Sequence, residues 1–93
     1  MNGHRRIGEI LEAVARQVFR HPGTGDGAVL TADRIRGPGD EPWWRISLDC
    51  APGSPPAEAG LRTSVWCATR TQGRRAFAER QRALRAAGYV RGE

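Results

Sequence analysis

Lysine is absent from this 93-residue chain, and all 15 basic side chains are arginines. Histidine is nearly absent, with only His4 and His21. Two cysteines, Cys50 and Cys67, stand far apart, and no CxxC or HxxxH pair exists. A structural zinc site therefore lacks its ligands. No Ser/His/Asp arrangement can be read, and no carboxylates are spaced for general acid–base work. We expect no catalytic residue, no metal ligand and no cofactor, so the chain reads as a non-enzyme. Long apolar runs are missing too: nothing approaches the ~18 residues of a membrane span. In "MNGHRRIGEILEAV", Glu9 and Glu12 interrupt what would be a signal-peptide core. The expectation is a cytoplasmic protein that does not meet a membrane.

What the chain does have is positive charge. Ten acidic residues leave a net charge of +5 and a pI near 10.9. That excess favours polyanions, acidic protein patches or anionic lipid. A GC-rich coding bias explains arginine in place of lysine, but not the sign of the balance. Arginine also brings a planar fork that pairs with phosphate or guanine and stacks on aromatic rings. Hydrophobic residues make up 39% of the chain, enough for one modest core in one domain, 1–93.

Residues 5–20, "RRIGEILEAVARQVFR", predict a helix, since Ile7, Ile10, Leu11, Val14 and Val18 fall on one stripe. The glycines of "HPGTGDG" do not make a phosphate loop, which needs a strand before it and a helix after it; a turn is expected. Strands are predicted over 28–36, 43–50 and 61–70. The segment 51–60, "APGSPPAEAG", reads as a long flexible hairpin loop, and 73–88 as a second helix ending at Gly88. The expected fold class is α+β, in the order α-β-β-β-α. Its sheet is a three-stranded antiparallel meander with both helices on one face.

Adjacent tryptophans in "EPWWRISLDC" must point to opposite faces of a strand. Matching apolar positions places Ile46 opposite Val65 and Trp44 opposite Cys67. The core face then takes Trp44, Ile46, Leu48 and Cys50, with Val29, Thr31 and Ile35 from the first strand; Asp33 fits that set badly. In this register the two thiols lie about 20 Å apart, at ~3.3 Å per residue, so both are expected free and mostly buried. The outer face receives Trp43, Arg45, Arg62, Trp66 and Arg70, with Arg34 and Arg36 from the first strand. Arg45 lies opposite Trp66, a cation–π pairing. On the second helix Arg74, Arg75, Arg82 and Arg85 gather opposite the apolar stripe.

Such a surface has three uses. It can hold nucleic acid, with arginines on phosphates and indoles on bases. It can be a protein interface, since Trp and Arg are the usual anchors. Or the indoles can simply pack beneath arginine stems. The helical arginines favour the first use, because like charges on one exposed face repel until an anion joins them.

The run "WWRISL…SVWCATRTQGRRAFAERQRALRAAG" resembles the N-terminal arm-binding domain of tyrosine-type phage integrases, over about residues 28–88. The resemblance implies a three-stranded sheet laid in the DNA major groove and backed by one helix. The chain departs from it in its expected leading helix, its long proline-rich loop and its lack of a catalytic domain. The predicted element order also resembles the double-stranded RNA-binding fold, matched at its last helix only by Gly73-Arg74-Arg75. More loosely, the all-arginine composition and "LRAAGYV" are similar to small proteins of actinobacterial phages and plasmids. The expectation is a small nucleic-acid-binding accessory factor, with DNA ahead of RNA. The competing expectation is an interaction module, inhibitor or homodimer using the Trp43/Trp66 face, with an acidic protein as one possible partner.

Overall fold

A computed structural model describes residues 6–92. Five antiparallel strands form one sheet: β1 (Ile10–Arg20), β2 (Gly27–Arg36), β3 (Pro42–Cys50), β4 (Ser64–Cys67) and β5 (Val90–Arg91). They lie in the order β4-β3-β2-β1-β5. A short helix, α1 (Pro55–Glu58), precedes β4, and a 17-residue helix, α2 (Arg70–Ala86), follows it. The fold is α+β and antiparallel, as expected, and its meander runs through four strands rather than three.

The expected helix over 5–20 is instead the long strand β1, with residue 5 outside the described residues. The cause lies in its register against β2. Ile10 opposes Ile35 but Glu12 opposes Arg34, and Ala13 opposes Asp33 but Ala15 opposes Ala32. Leu11 and Val14 are therefore extra residues, two β-bulges in one strand. Each bulge resets the two-residue alternation, so the apolar spacing imitates a helical repeat. The apparent stripe is also not the buried one. Ile10 and Val14 are more than half exposed, whereas Phe19 is 1% exposed.

The meander β2-β3-β4 keeps the expected pairing: Ile46 opposes Val65, Trp44 opposes Cys67 and Arg45 opposes Trp66. The phase of β2 is a correction. Ala28, Leu30 and Ala32 oppose Cys50, Leu48 and Ile46, and so share their face. Val29, Thr31, Asp33 and Ile35 turn to the other side. β4 is shorter than 61–70, and 51–60 contains α1, with Ser54 and Pro56 buried.

The main core is the face formed by Phe19, Ala28, Leu30, Ala32, Ile46, Leu48, Cys50 and Cys67, closed by Leu84 of α2 and by Tyr89. Both cysteines are free and buried. α2 begins three residues before the expected start of 73. Thr69 caps it in a reciprocal box, accepting from the Gln72 amide while the Gln72 side chain accepts from the Thr69 amide. Its end is a Schellman turn. Gly88, at φ +93°, donates to Arg85, and Tyr89 donates to the Leu84 carbonyl. That turn delivers Tyr89 into the core, edge-on to His21 at 5.3 Å between centroids. α2 packs on β2, β3 and β4 and leaves the Ile10–Val14 half of β1 uncovered. Among the described residues no helix is long and apolar enough to cross a membrane.

Candidate nucleic-acid interface

The open face of the sheet answers what the outward tryptophan does. Trp43 opposes Ile35 across the β2–β3 ladder, and its indole lies on Gly37. A Cβ at Gly37 would stand 1.9 Å from Trp43 Cδ1, so only glycine admits this contact. The stretch before β1 then turns towards the same region. Gly8 donates to the Arg36 carbonyl at 2.6 Å, and the far edge of the Trp66 indole meets Gly8 at a distance where a Cβ would sit 3.3 Å away. Ile35, beneath this cover, is fully buried. Trp43, Trp66, Ile35, Gly8 and Gly37 thus form a second, small apolar cluster. Trp66 stays 40% exposed.

The charges on this face are matched. Arg45 pairs with Asp33 at 3.6 Å, both partly buried, which explains the aspartate that fitted the core so poorly. Ser47 and Ser64 share a hydrogen bond of 2.8 Å beside it. Arg62 is committed elsewhere, its Nε donating to the Cys50 carbonyl at 2.8 Å.

Arg34 and Arg36, expected beside Trp43, belong by strand alternation to the helix side, because β2 runs in the other phase. Arg34 reaches Glu12 at 3.5 Å and helps line a recess with Val14, Trp44 and Arg70. Arg36 lies between Glu9 and Asp40. Neither arginine is free to meet a ligand alone.

The longest run of unmatched charge among the described residues is on α2. Gly73, Phe77, Arg80 and Leu84 turn inward, while Arg70, Arg74, Arg75, Arg82 and Arg85 are exposed. None of these five has a carboxylate partner among the described residues. Glu79 is the sole acid on the helix, and it pairs with the buried Arg80 at 3.3 Å. Arg80 also donates to the Ala76 carbonyl and lies close enough to Cys67 to act on it electrostatically. Burial pushes the Cys67 thiol above its ordinary pKa, and the Arg80 guanidinium only partly opposes that shift. A thiol so placed is not a ready nucleophile.

Between the first half of α2 and the sheet lies a groove of about 260 Å³. Trp44, Ile46 and Ala32 form its floor, Val14 and Phe77 its walls, and Arg70 and Arg74 its rim. It runs on into the recess shared by Arg34 and Glu12. Sequence reasoning placed Trp44 in the core and missed the groove. The parity was legible, but not the fact that α2 would leave the Ile10–Val14 half of β1 uncovered. Among the described residues no cluster of His, Cys, Asp and Glu could hold a metal ion. No protein-family model, curated protein or solved structure matches the chain.

Proposed function

We propose that this protein binds nucleic acid without catalysing a reaction, and that the outer face of α2 is its main contact with the phosphate backbone. One observation carries the reading: Arg75, Arg82 and Arg85 on the outer side of α2, and Arg70 and Arg74 towards its groove side, are all exposed with no carboxylate partner among the described residues. Like charges three or four residues apart on a helix destabilise it slightly, and a polyanion reverses the sign of that term. A helix of 17 residues is about 25 Å long at ~1.5 Å per residue. Over that length duplex DNA presents a phosphate about every 1.7 Å. The open sheet face contributes less, because Asp33 already holds Arg45.

The test is a titration of the protein against duplex and single-stranded DNA at low and moderate salt. Affinity should fall steeply with salt as counterions are released, with a slope near −0.9 per neutralised phosphate. Reversing two of the exposed charges, Arg75→Glu with Arg82→Glu, should weaken binding at least about tenfold at low salt and leave the thermal unfolding midpoint almost unchanged. Absence of binding at low salt overturns the proposal.

A second reading draws on a different feature. Ile7, Ile10, Leu11 and Val14 are exposed aliphatics on the uncovered half of β1 and the stretch before it. Exposed aliphatics following one another along one stretch of chain, on both faces of the sheet's margin, favour a protein partner. Binding of that kind resists salt and is lost in Leu11→Arg, whereas the charge reversals on α2 leave it intact.

A further inference from the structure

The groove beside α2 has a shape and a charge that suit one ligand chemistry. Its floor and walls are apolar, with an indole, a phenyl ring and aliphatic side chains. Its rim is cationic: Arg70 and Arg74 stand one helical turn apart on the groove side of α2, and Arg34 lies in the adjoining recess. Glu12 is the single acid in that lining, and Arg34 already engages it. Sites for drug-sized molecules occupy ~300–1,000 Å³. At about 260 Å³, this space suits one flat ring system rather than a larger molecule. A flat ring with stackable faces, tethered to anions on both sides, is the chemical description of one nucleotide in a single strand.

We infer that the groove is a base-binding slot: one unstacked nucleobase lies against Trp44 and Phe77 while its flanking phosphates are held by Arg70 and Arg74. The inference rests on the nucleic-acid reading of α2 and gives it a strand preference. A base paired within a duplex cannot enter the slot without being unstacked and extruded. A single strand presents its bases at little cost, and aromatic stacking accepts any base. The observation that singles out Trp44 is its position. It opens the core face at the sheet's end, half-buried, where Gly73 of α2 comes close enough that a Cβ there would lie 3.2 Å from the Trp44 side chain. The helix pins one side of the indole and leaves the β1 side to the groove.

The experiment compares the intact protein's affinity for a short oligothymidylate with that for a strand of equal length and charge whose sugars carry no bases. Fluorescence anisotropy of a labelled strand gives the affinity, and the part of the tryptophan quenching that disappears in Trp44→Phe gives the stacking on that ring. The oligothymidylate should bind about five- to a hundredfold more tightly, with quenching. Trp44→Ala should abolish that preference while the salt dependence set by the arginines persists. Ala78→Trp, which fills the slot without touching floor or rim, should do the same if Trp44→Ala does not fold. Equal affinity for the two strands overturns the slot and leaves the backbone-binding reading standing. Failure of both strands and of duplex to bind at low salt overturns both. Displacement of the oligothymidylate from neither Trp44 nor Phe77 by mutation, with preference retained in Ala78→Trp, also overturns the slot. So does an acidic peptide carrying one aromatic residue that quenches Trp44 where oligothymidylate does not.

Discussion

Trp43 and Trp44 are neighbours in sequence and both are half-buried, yet they serve different regions. Trp43 belongs to the open face, where its ring covers a glycine, Ile35 lies sealed beside it, and Arg45 of the same face has its own aspartate. Trp44 belongs to the helix side, where its ring floors a groove whose arginines are unmatched. The difference teaches that an aromatic residue beside arginines is not in itself a recognition surface. What decides is whether the cations have already found carboxylates. Arg45 on the open face has, and so have Arg34 and Arg36 on the helix side; among the described residues Arg70 and Arg74, at the rim of the groove, have not.

The comparison breaks most easily at the core. Leu84→Ala, which removes the fully buried anchor of α2, should cost about 2–5 kcal/mol in urea unfolding. Ile35→Ala tests whether the open face has a true second core. A loss of about 2–5 kcal/mol is expected, and a loss near zero would mean that the cluster is surface decoration. Gly37→Ala should follow at about 1–3 kcal/mol, since Trp43 must leave its seat, and near-ultraviolet circular dichroism should change with it.

A smaller effect concerns pH. The Cys67 thiol has a raised folded-state pKa, so the unfolded chain loses that proton first as pH climbs. Stability from this group is fully present below the ordinary thiol pKa and is lost as pH rises through the folded value. Cys67→Ala should therefore flatten the alkaline decline in the unfolding midpoint, whatever it costs at neutral pH. The smallest effect sharpens the open face: a double-mutant cycle over Arg45→Ala and Asp33→Ala should return a coupling under about 1 kcal/mol, shrinking in salt.

Much of the meander was legible because its strands obey simple rules. β3 alternates cleanly, so matching its apolar positions to those of β4 fixed the pairing of Ile46 with Val65. β2 misled because its buried positions are modest, Ala28, Leu30 and Ala32, while its outward positions include Val29 and Ile35. The aspartate at 33 was the sign that the phase was reversed. β1 was illegible for a sharper reason. Two inserted residues change its period, and nothing local marks an insertion when the partner strand is unknown. The start of α2 could have been read: Thr69 and Gln72 spell a capping box, which sets the helix three residues earlier than its first glycine suggests. The arginines of α2 were found from spacing alone, because a helix of ordinary period needs no partner to define its faces. The groove was not, since it depends on how far α2 reaches across a sheet whose last two strands were unforeseen.

The double bulge in β1 also shapes the margin of the sheet. Among the described residues, Phe19 and Arg20 of that strand pair with β5 and Val18 accepts from Gly92, while the rest of its outer rim pairs with no strand. A straight rim of that length would template endless stacking of identical chains into fibres. Two steps out of phase, at Leu11 and Val14, deny an incoming strand any continuous ladder. The irregularity that disguised the strand as a helix is also a feature of the kind that blunts an apolar sheet margin against a second strand.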